Sequence, residues 1–303
     1  MMKLIIIIVL LMAINYLYQR RLAKKIKLSW YNKENIINVN GNNIHIRVQG
    51  QGKPLFLIHG SQMNIHDWRN NIDYFSKFYT VYAVDMIGSG FSDKPKVKYS
   101  PKFYADFILQ LLDYYNIEKA SFIGSSWGGG HVLYFSLLNP ERVDAMVMSS
   151  PSGYSHKETL LEKLLKVNIL GEIIMLIGNR SIVKNELEFM FSSKDIISKT
   201  LIDSVFKPIY MKGGMHAVLS AYRNDDFSFV KNNLEKINCP VLIIWGEDDS
   251  VHPKAAIKKM NDKIPNCTFI TLENTGHLPH EEQATVFNKI TMDFFRIRET
   301  KLK

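Results

Sequence analysis

"SFIGSSWGGGHVLYFSLL", residues Ser121 to Leu138, sets two adjacent serines and a tryptophan among four glycines, Gly124, Gly128, Gly129 and Gly130, between two apolar runs. A turn needs one or two glycines, so four ask for a further reason. Ala120 to Ile123 is short and mostly apolar, as a buried parallel strand is. From His131 onward, Val132, Leu133, Phe135 and Leu137 recur at helical spacing, and Pro140 ends the run. The stretch therefore reads strand, abrupt turn, helix. Gly124, Ser126 and Gly128 match the Gly-x-Ser-x-Gly elbow, in which the middle serine projects from a strained turn at the start of a helix. The backbone N–H of the next residue, Trp127, can then face a developing oxyanion. Ser125 occupies the preceding position, faces differently and is expected to hydrogen-bond locally.

Outward from the elbow, strands and helices alternate. "IINV" (36–39) and "IHIRV" (44–48) flank Asn40-Gly41-Asn42-Asn43 and read as a hairpin. "LFLI" (55–58) is a buried strand that runs into His59 and Gly60. Residues 67–78 are expected to form a helix with Trp68, Ile72 and Phe75 on one face. Residues 80–84 form the next strand, and Asp85 opens "DMIGSGFSDKP". Residues 100–114 are expected to be helical, with Phe103, Phe107, Leu111 and Tyr114 on one side; 143–148 follows as a strand. Near-continuous apolar strands between helices argue an α/β fold with a parallel sheet covered on both faces. From 151 to 238 no strand signal of that strength occurs, and 159–177 and 181–205 read as helical. The strand pattern resumes in "PVLIIW" (240–245) and at 267–272. A helix over 283–296 is expected to dock through Val286, Ile290, Phe294 and Phe295. A helical block is thus inserted between two late strands, where α/β sheets hold ligands, and a mobile cap is expected. The division is 1–27 as a separate N-terminal segment, 28–150 and 239–303 as the core, and 151–238 as the cap.

Composition narrows the classes. The chain has 303 residues, 46% of them hydrophobic and 22% charged, which suits one large globular unit. Two cysteines, Cys239 and Cys267, make neither a disulfide scaffold nor a zinc cluster, and small buried hydrophobes are expected there. The net charge of +9 comes with no phosphate-binding loop, zinc spacing or repeat, so nucleic acid is not an expected partner. Part of the charge is local: Arg20, Arg21, Lys24, Lys25 and Lys27 lie within eight positions. They follow "LIIIIVLLMAINYLY" (4–18), fifteen uncharged residues that as helix advance about 22 Å, short of a bilayer core of about 30 Å. Tyr16 and Tyr18 suit a membrane interface. The first expectation is an uncleaved single-pass or interfacial membrane anchor; a cleaved export signal and a packed soluble helix are the alternatives. For a spanning segment the basic cluster would place the body on the cytoplasmic side.

Acyl transfer needs a nucleophile, a base that takes its proton and an acid that orients the base. With Ser126 as nucleophile, "GEDDSVHP" after strand 240–245 offers Glu247, Asp248 or Asp249. "ENTGHLPHEE" after strand 267–272 offers His277 or His280, with His252 a further candidate. An acid after one strand and a histidine after the next is the order Ser…Asp…His. His277 ranks first because it follows a glycine soon after its strand; His280 is expected to cap or pack.

These motifs resemble the α/β-hydrolase superfamily, specifically its cap-containing serine hydrolases: esterases, lipases and carbon–carbon bond hydrolases. The resemblance covers roughly residues 36–298. It selects Asp249 through Trp245-Gly246-Glu247-Asp248-Asp249, and His277 through Gly276-His277. It implies that His59 and Gly60 end an early strand and that Ser61 supplies the second oxyanion N–H beside Trp127. Asp85, Gly88, Gly90 and Ser92 match a supporting segment of the family. Epoxide and haloalkane hydrolases of this branch carry an aspartate at the elbow, and Ser126 disfavours both activities. The expectation is a lipase- or carboxylesterase-like serine hydrolase acting on an ester through an acyl-enzyme, with no metal or cofactor required. The alternatives are a carbon–carbon bond hydrolase of diketone type, an aminopeptidase or amidase using cap carboxylates among Glu158, Glu172, Glu186 and Glu188, and a non-catalytic binding module. The apolar cap run 168–178 suits fatty or aromatic esters, so a small-molecule or lipid-like acyl substrate is expected.

Overall fold

The computed structural model describes residues 2–154 and 158–301. Its strands are β1 (Ile36–Val39), β2 (Asn42–Gln49), β3 (Pro54–Ile58), β4 (Thr80–Val84), β5 (Ala120–Ser125), β6 (Val143–Ser149), β7 (Val241–Gly246) and β8 (Cys267–Leu272). They form one sheet in the order β1-β2-β4-β3-β5-β6-β7-β8. The hairpin β1–β2 is antiparallel, β2 pairs antiparallel with β4, and β3 to β8 are parallel. Asn40 and Gly41 both have positive φ, the conformation a two-residue hairpin turn requires.

Along β3 the apolar residues alternate between two cores. Phe56 and Ile58 face one, Leu55 and Leu57 the other, and all four are inaccessible to solvent. This explains the continuous apolar strands: period-two alternation puts every second residue on each face, and both faces are buried. Helices α3 (Pro101–Tyr114), α4 (Ser126–Leu138) and α11 (Lys254–Lys263) cover one face; α2 (Ile72–Phe75) and α13 (Ala284–Lys301) cover the other. Removing one such side chain to alanine is worth about 2–5 kcal/mol.

Between β6 and β7 run α5 (Leu160–Lys166), α6 (Leu170–Ile177), α7 (Arg180–Met190), α8 (Lys199–Ile209), α9 (Gly214–Arg223) and α10 (Ser228–Lys231). The chain thus has the α/β-hydrolase fold, a mostly parallel sheet with flanking helices and a helical insertion between two late strands.

Several local expectations need correction. The helix anticipated over 67–78 is a 3-10 turn at Ile65–Trp68 followed by the single α turn of α2. Buried Asn71 breaks it, because its side chain donates to His280 O (3.1 Å) and Asn288 Oδ1 (2.7 Å) across the fold. The buried side of α3 is Tyr104, Phe107, Ile108, Leu111 and Leu112, whereas Tyr114 is exposed. The long helical stretches of the insertion are interrupted, first where Ile169 adopts a left-handed φ of 69° between α5 and α6. Val286 is exposed, whereas Phe295 is buried and Ile290 and Phe294 pack half-buried against the same core, joined by Phe287 and Met292. Both cysteines are half-buried.

The N-terminal segment forms α1 (Met2–Lys25). Its second half packs on α6 and α8: Asn15 Nδ2 donates to Leu176 O (2.8 Å), and Ala23 and Ile26 join a cluster with Phe206 and Tyr210. Ile7 to Leu11 and Ile14 remain exposed. Among the described residues no helix is long and apolar enough to cross a membrane, so the single-pass form of the anchor expectation lacks support. Within α1, Asn15 Oδ1 accepts from Gln19 Nε2 at 3.2 Å.

Candidate active site

The elbow forms where β5 runs straight into α4. Ser126, the first residue of the helix, has φ 47°, a left-handed conformation that is strained for a residue with a Cβ. The close approach depends on glycine. A Cβ on Gly124 would lie 2.6 Å from Gly129 Cα, and one on Gly128 would lie 2.3 Å from His59 O. Ser126 is thereby lifted above the carboxyl ends of the strands. Ser125 is fully buried, and its hydroxyl has no hydrogen-bond partner among the described residues, contrary to the local bond expected of it.

Three segments far apart in sequence meet at Ser126. His277 Nε2 lies 2.7 Å from Ser126 Oγ, and His277 Nδ1 lies 2.9 Å from Asp249 Oδ2. Asp249 Oδ1 accepts from the backbone N–H groups of Val251 (2.8 Å) and His252 (3.1 Å). Burial pushes the Asp249 carboxyl upward, but the His277 ring and these donors outweigh it, so its pKa lies below the ordinary value. The competing acids point elsewhere: Glu247 pairs with Lys254, and Asp248 accepts from Ser192 Oγ at 2.8 Å. The competing histidines are also accounted for. The His252 ring sits 5.0 Å from that of His277, while His280 is buried beneath, 3.0 Å from Ser149 Oγ and 3.2 Å from Asp67.

Gly60 and Ser61 border the same space, and a Cβ on Gly60 would lie 3.6 Å from Ser126 Cβ. His59 accepts through Nε2 from Met86 N at 3.0 Å. Asp85 is a buried hub whose carboxylate accepts from Ile65 N (2.6 Å) and Phe91 N (2.7 Å) and contacts His45 Nδ1 at 2.8 Å. Gly90 is needed there because a Cβ would meet the Asp85 carboxyl at 2.2 Å; Gly88, with φ 92°, packs against the Tyr99 ring. His59, Asp85, Gly88 and Gly90 shape the loops around the site.

Some contributors had no readable sequence signal. Glu282 gathers Gly276 N (2.8 Å) and Ser192 N (2.9 Å), and Met190 O accepts from His277 N at 2.7 Å, tying the histidine loop to the end of α7. Asp225, between α9 and α10, accepts from Trp127 Nε1 at 3.0 Å and so holds the insertion to the elbow. Nothing in the sequence pattern marked either residue.

Burial pushes the Asp225 carboxyl up from its ordinary 3.8 to about 7, with the Trp127 bond opposing. The folded state then holds this proton more tightly than the unfolded chain, so stability falls as pH rises across that window. Asp225→Asn is expected to raise the melting temperature relative to wild type at pH 8 and to change it little at pH 4. Thermal melts at the two pH values check this, and an equal shift at both would contradict it.

Over Ser126 lies a cavity of about 170 Å³. Its walls are mostly apolar: Leu161 and Leu165 of α5, Met175 of α6, Val183 and Leu187 of α7, and Val218 of α9. Glu162, Glu186 and Tyr222 supply polar groups, and no lysine or arginine is among the described lining residues. Burial raises the pKa of Glu186, and Glu162 adds to the effect. Of the cap carboxylates anticipated from sequence, only Glu186 lines the cavity. Glu172 pairs with Arg223, Glu158 with Lys166 and Glu188 with Lys184.

The family described as alpha/beta hydrolase fold matches residues 53–168. An uncharacterized carboxylesterase of Bacillus subtilis (strain 168) is 27% identical over 244 residues, covering 80% of this chain and 79% of that protein. The 2-hydroxy-6-oxononadienedioate/2-hydroxy-6-oxononatrienedioate hydrolase of Paraburkholderia phymatum is 27% identical over 278 residues, covering 83% of this chain and 90% of that one. Among solved structures, a meta-cleavage product hydrolase from Pseudomonas fluorescens matches with a TM-score of 0.73 at 24% identity, covering 87% of this chain and 97% of that one.

Proposed function

Because this chain is a member of the α/β-hydrolase superfamily, we propose that it is a serine hydrolase cleaving carboxylic esters of apolar acids through an acyl-enzyme. The observation that carries the reading is the Ser126–His277–Asp249 relay at the floor of an apolar cavity. Residues 151–238 act as its cap, 28–150 and 239–303 as the catalytic core, and 1–27 as a membrane-attachment segment.

In the first step Ser126 Oγ attacks the ester carbonyl while His277 Nε2 takes its proton. Asp249 holds the Nδ1–H tautomer and stabilises the imidazolium. The backbone N–H groups of Ser61 and Trp127 receive the oxyanion, where one donor is worth about 3 kcal/mol. The imidazolium then protonates the departing alkoxide, leaving the acyl group on Ser126. Water enters, gives its proton to His277 and attacks the acyl carbonyl; the acid departs and Ser126 regains its proton.

Charge favours the ester over the carbon–carbon bond alternative. A doubly anionic substrate such as that named for the Paraburkholderia relative would meet Glu162 and Glu186 and no described cation. Apolar walls suit a neutral acyl chain.

The test is hydrolysis of para-nitrophenyl esters from short to long acyl chains. Turnover that rises with chain length supports the proposal. Absence of turnover on every ester, with cleavage of an anionic diketone acid, would replace it with the carbon–carbon bond reading.

A further inference from the structure

We propose that α1 and α6 together form one docking surface for an anionic phospholipid bilayer, and that α6 carries the acyl pocket on its other side, so that this enzyme draws lipid-like esters from the membrane. The inference rests on the ester hydrolase and membrane-attachment readings above and names the surface, its lipid charge and the route to the substrate.

Ile7, Ile8, Val9, Leu10, Leu11 and Ile14 are exposed on all sides of α1, Leu11 at 59%. Scattered apolar residues on a surface are ordinary, but a contiguous exposed run marks a contact with another apolar phase. The uncharged run 4–18 advances about 22 Å as helix, short of a hydrocarbon core of about 30 Å. A segment of that length suits a seat at the membrane interface, and no helix among the described residues is long and apolar enough to span.

The neighbouring helix extends the surface. Asn15 Nδ2 joins α1 to the Leu176 carbonyl of α6. On α6, Ile173 and Ile177 lie one turn apart and are exposed, and Ile169 just before it is 74% exposed. Met175 lies two positions from each, close to the opposite side of the helix at 100° per residue. It is buried and lines the cavity that contains Ser126. One short helix thus separates an apolar outer surface from the apolar wall of the site.

Charge selects the occupant. Arg20, Arg21, Lys24, Lys25 and Lys27 follow the exposed run, and none of them pairs with a carboxylate among the described residues. A basic band next to an inserting helix is what anionic headgroups attract. A second copy of this chain would bring the same positive charge against it.

The test uses the full chain and two sets of vesicles, phosphatidylcholine alone and phosphatidylcholine with phosphatidylglycerol. Cosedimentation is expected with the anionic vesicles and to weaken about tenfold or more on the neutral ones or in high salt. Leu11→Asp should abolish it. The double variant Ile173→Asp/Ile177→Asp should retain hydrolysis of a soluble short-chain ester yet lose about tenfold or more on a long-chain ester embedded in anionic vesicles. Full chain remaining in the supernatant with both vesicles would overturn the proposal. So would a self-association lost in Leu11→Asp without vesicle binding, or an unchanged rate of the double variant on the embedded ester. Failure on every ester while cosedimentation persists would instead sink the ester reading and leave the docking surface standing.

Discussion

Ser126→Ala is expected to lower kcat on a para-nitrophenyl ester by about four powers of ten or more, with the fold intact. The substitution removes one oxygen. Alanine has the same Cβ and inherits the φ of 47°, so the strain of the elbow is unchanged. What disappears is the atom 2.7 Å from His277 Nε2. Without it no acyl-enzyme forms, and only oxyanion stabilisation and binding remain to favour attack by water. Steady-state kinetics with a circular dichroism control measures this. Activity within tenfold of wild type would place the nucleophile elsewhere.

The second large effect is Asp249→Asn, expected to cost about 10⁴-fold in kcat. An amide at that position can donate to His277 Nδ1 and hold the wrong tautomer, so Nε2 carries a proton when it should accept one. The neighbour makes an internal control. Asp248 accepts from Ser192, and it is Asp249 whose carboxylate meets His277 Nδ1, so Asp248→Asn should leave kcat within about tenfold of wild type. Equal losses in the two variants would argue that the loop as a whole, and not one carboxylate, supports the histidine.

The contrast between these two aspartates shows how far a sequence reading reaches. "GEDDSVHP" presents three adjacent acids, and the residues alone left the acid open; resemblance to the family pointed to Asp249. The geometry gives a physical reason for that choice. The backbone folds back after Asp249, so that its Oδ1 takes two N–H groups while Oδ2 faces the ring. Likewise His277 stood out from His280 by following a glycine, yet only packing shows that His280 is buried against Asp67 and Ser149.

The sheet and the elbow were legible because their signals are local. Four glycines around Ser126 report a steric constraint within a few residues, and continuous apolar runs report burial on both faces of a strand. The helix over 67–78 was misread because its break comes from Asn71 bonding to residues more than two hundred positions away. The insertion was misdivided for a related reason: its apolar spacing is helical throughout, but its turns depend on the surface it must wrap.

The chain's own order of residues determined the α/β class and the abrupt turn at Ser126, and it offered a serine, then acids, then histidines in the order of the proposed relay, since each follows from spacing and backbone sterics. The residues alone left open which carboxylate meets the imidazole, and tertiary structure alone decided that Asp225 reaches Trp127. It alone decided that the cavity carries Glu162 and Glu186 but no described lysine or arginine, and that α1 packs on the insertion through Asn15 and Ala23 while Leu17 and Tyr18 stay exposed. Those outcomes depend on contacts between segments distant in the chain, and no local pattern encodes the distance between two side chains that meet only after the sheet has formed.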